Sequence, residues 1–180
     1  MGAFEARNGR WGLIADLFYA DLSQTRATPL GLLFSRGRIA TEARALSGYA
    51  AYRVRDDERI AVDLTVGLRV NSVDLDVSLS PGMLAGQRFG VSETWVDPLI
   101  RARVRFVIAD GWFATAFADI GGFGVGSDMT WQAFASLGYQ FNARWSVQGG
   151  WRYVAIEKPI EGRDVAMDFS GPLLGFTVRF

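Results

Sequence analysis

The chain has 180 residues, with Lys+Arg and Asp+Glu both at 19, so its formal net charge is zero. That balance excludes a single-signed field for recruiting nucleic acid, and the even composition fits one domain spanning 1–180. Cysteine and histidine are both absent, which removes disulfides, thiolates and imidazole chemistry at a stroke.

No stretch approaches the roughly 20 apolar residues that a spanning helix requires. Aromatic residues make up 13% of the chain and glycines number 21, a combination that suits a β-barrel better than a helical bundle. The first residues hold no apolar run of secretion-signal type. If the protein is exported, this chain is expected to be a mature or trimmed form, and strand material upstream would raise a barrel from eight strands to ten.

Residues 1–7 read as the remnant of an upstream strand or a periplasmic lead-in, ended by the tight-turn pair Asn8-Gly9. A strand follows at 11–22, with Trp11, Leu13, Ala15, Leu17 and Tyr19 on one face. Residues 23–37, polar and carrying Pro29, Gly31 and Gly37, predict a long loop. The next strand, 38–55, sets Leu46, Ala50, Tyr52 and Val54 opposite Ser47, Tyr49 and Arg53.

Residues 60–71 carry the clearest alternation in the chain. Ile60, Val62, Leu64, Val66, Leu68 and Val70 oppose Ala61, Asp63, Thr65, Gly67, Arg69 and Asn71, a strict period of two that is hard to explain unless one face meets oil. From Val73 the pattern slips, because Asp74 and Asp76 fall where apolar residues had been, and a bulge or an exit from the apolar zone would account for it. A second long loop is expected at 78–92.

Strand 93–109 places Val96, Ile100, Val104 and Phe106 against Asp97, Arg101, Arg103 and Arg105. Asp110-Gly111 turns into a glycine-diluted strand at 112–126, and a short loop leads to strand 129–141. After the turn 142–144, strand 145–156 carries Trp151 and Tyr153 opposite Arg152, and a modest loop at 157–163 precedes the final strand, 164–180. On that strand Leu174, Phe176, Val178 and Phe180 share the apolar face, while Arg179 lies on the other.

Eight full strands with short turns at one end and longer loops at the other predict a closed antiparallel transmembrane β-barrel. Closure follows from physics, since each unpaired amide in hydrocarbon costs several kcal/mol. The expected lumen charges are Asp16, Arg53, Asp63, Arg69, Asp97, Arg101, Arg103, Arg105, Asp119, Arg152 and Arg179. Two aromatic girdles are expected: Trp11, Trp112, Phe141, Trp145 and Phe180 at the short-turn rim, with Tyr19, Trp95, Trp131, Trp151 and Tyr153 nearer the other.

Four segments also carry a resemblance: WVDP at 95–98, DIGGFGVGSD at 119–128, GWRYV at 150–154 and SGPLLGFTVRF at 170–180. Together they resemble an uncharacterised group of proteobacterial outer-membrane β-barrel proteins, over most of the chain from Phe4 onward. More distantly the architecture is similar to the OmpA and OmpX barrels. The resemblance implies the bacterial outer membrane as location, and a bilayer with lipopolysaccharide as surroundings. It also implies recognition by the barrel assembly machinery through Phe176, Val178 and Phe180.

Chemical candidates are few. Without histidine, a serine nucleophile lacks its usual base, and Lys158, the single lysine, falls in a predicted loop, so no enzyme is expected. The run Gly121-Gly122-Phe123-Gly124-Val125-Gly126 lacks the Lys-Ser/Thr of a phosphate loop and reads as strand packing or bending. Asp74 and Asp76 read as solvated carboxylates rather than a cation site; no metal or cofactor is expected.

Arg101, Arg103 and Arg105 are the lining either of a narrow anion-preferring channel or of an ion-paired plug. The small interior of eight strands favours the plug. The expected function is therefore a monomeric structural or surface-interaction barrel. A small passive channel and a soluble lipocalin-like lipid carrier are the alternatives.

Overall fold

The computed structural model describes residues 2–27, 34–81, 85–160 and 163–179. Within them lie nine strands and no helix: β1 (Gly2–Asn8), β2 (Trp11–Ala27), β3 (Phe34–Asp56), β4 (Ile60–Pro81), β5 (Gln87–Ala109), β6 (Trp112–Gly122), β7 (Met129–Gln140), β8 (Trp145–Ile160) and β9 (Arg163–Val178). They form one antiparallel sheet in the order of the sequence, each strand paired only with its chain neighbours.

The count differs from the expected eight because the N-terminal remnant is itself a paired strand, Gly2 opposite Leu17 through Asn8 opposite Trp11. Nor is the ring closed. Among the described residues no ladder joins β1 to β9. β1 has 7 residues against 17 in β2, so the edge of β2 above Leu17 also has no backbone partner from β1.

The tight turns fall at one rim, as expected. Gly9 and Gly111 take positive φ values of 56° and 76° in the two-residue turns after β1 and β5, where glycine adopts that conformation without steric cost. Residues 57–59 and 141–144 complete this rim. At the opposite rim the strands run much further than expected. Residues 78–81 and 87–92 belong to β4 and β5, and β2 and β3 take in the flanks of the loop expected at 23–37. Polar, glycine-bearing sequence predicts loop there, whereas its described part pairs as the ends of long strands. Residues 28–33 lie outside the described part.

Other bounds shift too. β6 stops at Gly122 rather than 126, β8 extends through Lys158 to Ile160, and β9 starts at Arg163. Lys158 is therefore a strand residue and not, as expected, a loop residue. Asp74 and Asp76 likewise sit in β4, whose register with β5 runs without interruption from Ile60 to Leu79, so no bulge explains their position.

The sheet curls strongly about an inner face. Val66 and Leu68 are 59% and 56% exposed on the convex side, whereas Arg69, between β3 and β5, is 2% exposed on the concave side. This is the reverse of an ordinary soluble domain, where charge faces water and aliphatic side chains are interior.

Further along, the two faces exchange character. On β4 the convex face passes from Val66, Leu68 and Val70 to Ser72, Asp74 and Asp76, while the concave face passes from Arg69 and Asn71 to buried Val73. The same exchange occurs at Asp16/Phe18 on β2, Ser47/Ala45 on β3, Asp97/Trp95 on β5 and Arg152/Val154 on β8. It marks one level around the sheet. Above it Phe18, Ala43, Ala45, Val73, Trp95, Val154, Ile156 and Phe169 form a conventional apolar core.

Candidate functional site: a layered interior

The concave face holds three layers. Nearest the tight-turn rim, Asp63 accepts from Arg53 Nε at 3.0 Å and from Arg103 Nη2 at 2.7 Å, and lies 3.1 Å from Arg7 Nη2. Arg103 also donates to both oxygens of Glu5, at 2.7 and 2.9 Å. The short strand β1 thus contributes Glu5 and Arg7, two partners that were not among the expected lumen charges.

The middle layer centres on Asp119. It accepts from Arg69 Nη2 at 3.0 Å, from Arg101 Nε and Nη2 at 2.9 and 2.8 Å, and from the Gln132 amide. Tyr49 Oη accepts from both guanidiniums, Arg101 at 2.5 Å and Arg69 at 3.3 Å. The Arg101 guanidinium carbon lies 4.0 Å from the Tyr49 ring centre and 4.2 Å from that of Phe117, between two π faces.

Gln132 carries the network to β8, its amide oxygen accepting from Arg152 at 2.6 and 3.0 Å. Arg152 then reaches Asp16 on β2 at 2.9 and 3.3 Å. The layer holds three guanidiniums and two carboxylates, with Ser47, Tyr49, Thr130 and Gln132 supplying neutral acceptors. Gly67 makes room for it: a β-carbon there would stand 2.7 Å from the Tyr49 ring.

The upper layer is neutral in its contacts. Asp97 is fully buried, yet no arginine reaches it among the described residues. It accepts instead from Asn71 Nδ2 at 2.7 Å, Trp95 Nε1 at 3.0 Å, Ser127 N at 2.7 Å and Ser127 Oγ at 2.9 Å. A carboxylate held by several such donors is a satisfied buried group without a counter-charge.

Ser127 arrives there because the turn 123–128 folds inward. Gly122, Phe123 and Gly124 all have positive φ, at 87°, 49° and 74°. The glycine run therefore serves a sharp reversal, not a phosphate cradle, and Lys158 Nζ clamps it by donating to Gly126 O at 3.2 Å. Lys158 also pairs with Glu93 at 3.4 Å.

Of the expected lumen charges, Asp16, Arg53, Asp63, Arg69, Asp97, Arg101, Arg103, Asp119 and Arg152 meet inside the curl as described. Arg105 and Arg179 do not join them. Both donate only to the amide oxygen of Gln140, at 3.5 and 3.1 Å, among the described side chains.

The convex aromatic residues also fall into two levels. Near the tight turns Trp11 meets Tyr52 at 4.9 Å between ring centres, Trp112 meets Tyr139 at 5.2 Å, and Phe141 and Trp145 are exposed. At the upper level are Tyr19, Trp151 and the Trp131–Tyr153 pair, 4.8 Å apart. Trp95 does not belong to the expected girdle. It shares the face of Asp97 and points into the interior, because odd-numbered positions of β5 face inward there. Phe176 and Val178 are exposed on the convex face of β9, and Phe180 lies outside the described residues.

Among the described residues no group of three or more Asp or Glu is placed to hold a metal ion. Comparison of the chain with protein families, curated proteins and solved structures finds no match.

Proposed function

We propose that the chain is an outer-membrane β-barrel with a filled interior, whose lower part is embedded in lipid and whose β2–β5 hairpins stand in water as a surface for structural or recognition roles. The observation that carries this reading is the exchange of polarity between the two faces at one level. On β4 the convex apolar run from Val62 to Val70 covers nine residues, and a tilted membrane strand needs about 9–11. Where that run ends, an ordinary apolar-inside arrangement begins, as expected of strands leaving hydrocarbon for water.

Aromatic side chains at the two levels of the convex face are suited to the two interfaces of a bilayer. In this reading the seam between β9 and the β1–β2 edge is shut in the membrane, because hydrocarbon would penalise unpaired amides. Lipid, lipopolysaccharide around the upper level, and the assembly machinery acting on the β9 apolar face are the proposed partners, with the monomer as the functional unit.

A filled interior favours a closed structure over a channel. Guanidiniums are locked to carboxylates in the middle layer, and the apolar cluster around Phe18, Trp95 and Phe169 lies above them. A carrier with an oily cavity is not favoured, since ion pairs occupy that space.

The chain contains no cysteine, so single cysteines give clean accessibility probes. In intact cells, Ser92→Cys is expected to react with an impermeant maleimide, and Asp57→Cys only after the outer membrane is permeabilised. Equal labelling of both without permeabilisation would contradict the embedded reading. In planar bilayers the purified protein is expected to give no steady ionic current.

A further inference from the structure

The tight-turn rim carries an arrangement that the ion-pair layers do not use. A recess of about 290 Å³ opens there, lined by Arg105, Val107, Trp112, Phe113, Gln140 and Asn142. The Arg105 guanidinium carbon lies over the Phe113 ring, 3.6 Å from its centre, which holds it at the wall of the recess. Arg179 joins it through Gln140, whose single amide oxygen accepts from both arginines. One neutral acceptor thus serves two cations.

The other charges that act on Arg105 are Arg179, Arg103 and Arg53, all positive. Arg53 and Arg103 are neutralised by Asp63 and Glu5, whereas Arg105 and Arg179 have no carboxylate within ion-pair distance among the described residues. The neutral groups add donors. Asn142 Oδ1 is occupied by the backbone N–H groups of Arg144 and Trp145, both at 2.9 Å, so its amide nitrogen is the part left for a ligand. Gln140 offers its amide nitrogen in the same way.

A recess with one guanidinium in its wall, a second bonded to the same glutamine beside it, two amide nitrogens, and no carboxylate within ion-pair distance of either arginine among the described residues is suited to an oxyanion. We propose that this recess binds a multiply charged oxyanion of the phosphate class, with Arg105 in its wall, Arg179 exposed beside it as the second guanidinium, and Gln140 and Asn142 as orienting donors. The anion would neutralise the excess positive charge at this rim. The site goes beyond the filled-barrel reading and does not depend on whether the protein conducts ions or spans lipid.

The test uses the full chain in a neutral detergent, titrated calorimetrically with pyrophosphate and inorganic phosphate at low ionic strength. Pyrophosphate is expected to bind at one site per chain and phosphate more weakly. Arg105→Gln and Arg179→Gln should each weaken pyrophosphate at least tenfold, while Arg88→Gln, at the opposite rim, should leave it unchanged. Near-UV circular dichroism establishes that each variant keeps native packing, and Arg179→Gln, at an exposed position, serves if Arg105→Gln does not fold.

Two sources of the group are separated in lipid nanodiscs. A soluble anion is expected to bind equally in phosphatidylcholine and phosphatidylglycerol discs, whereas a headgroup ligand would compete with pyrophosphate only in the latter. Absence of pyrophosphate binding by the unaltered chain, or binding that survives both arginine substitutions undiminished, would overturn the proposal.

Discussion

Arg152 and Asp16 lie 136 positions apart in the chain and are joined by two hydrogen bonds, at 2.9 and 3.3 Å, across the inside of the curled sheet. Neither strand pairs with the other through its backbone. Side chains therefore bridge β8 to β2 in the part of the sheet where the ladder is open. Both residues are buried, and removal of Arg152 leaves Asp16 with only the longer contact to Arg101 Nη2, at 3.6 Å. Arg152→Ala is expected to cost about 3–5 kcal/mol, read from urea unfolding in detergent, and the double variant with Asp16→Ala should cost less than the sum of the two singles. Strict additivity would show that the pair is not coupled.

Tyr49 tests the middle layer. Its hydroxyl accepts from the Nη2 atoms of two guanidiniums, both of which also donate to Asp119. Tyr49→Phe keeps the ring against Arg101 but removes one acceptor from each, and a loss of about 0.5–1.5 kcal/mol is expected in the same assay. An unaltered midpoint would mean that water replaces the hydroxyl without cost.

Gly67→Ala tests the packing beneath that hydroxyl. Its added methyl would collide with the Tyr49 ring and with the backbone of Gly48. Destabilisation of about 1–3 kcal/mol is expected from such overpacking, and most of it should persist when Tyr49→Ala is already present, because the tightest contact is with the Gly48 carbonyl oxygen. Loss of the effect in the Tyr49→Ala background would place the clash at the ring instead.

The two convex levels make opposite predictions for the same substitution. Val66→Arg, in the middle of the apolar run, is expected to cost about 2–4 kcal/mol when folding is measured into lipid vesicles. Ser92→Arg, above the exchange of polarity, should change stability by no more than about 0.5 kcal/mol. Equal effects would remove the distinction between the levels.

Much of this was legible in the sequence. The period-two run from Ile60 to Asn71 separated the two faces of β4, because a six-fold alternation divides a strand whichever neighbour it pairs with; which face is concave differed between the barrel and the lipocalin-like alternative. The tight turns at Asn8-Gly9 and Asp110-Gly111 were equally plain. Above the exchange of polarity the signal fades: Asp74 and Asp76 looked like an interruption, although the strand continues and only its dry face changes sides. Trp95 was misplaced for the same reason, being read as an interfacial aromatic when it belongs to the interior core.

The partners of the charges were the least legible part. Arg69 stands opposite Asp97 in the β4–β5 register, an obvious pair on paper, yet it turns to Asp119 while Asp97 is satisfied by Asn71, Trp95 and Ser127. Such choices depend on the curl of the sheet, which brings β6 and β7 against β4. Tyr49, Gln132, Thr130 and Ser127 gave no sign beyond their parity, since neutral polar residues on a strand are ordinary. Glu5 and Arg7 could have been found by pairing the Asn8-Gly9 hairpin in register, which sets both on the face of Asp16.

Site-directed spin labelling along β4, one cysteine at a time from residue 60 to residue 80 in lipid vesicles, tests the central claim most directly. Oxygen accessibility is expected to peak at even positions from 62 to 70, with a polar relaxation agent excluded there, and the two agents should exchange roles on the even positions from 72 onward. Oxygen peaks at Asp63, Thr65 and Arg69, or no alternation between the two faces, would contradict it.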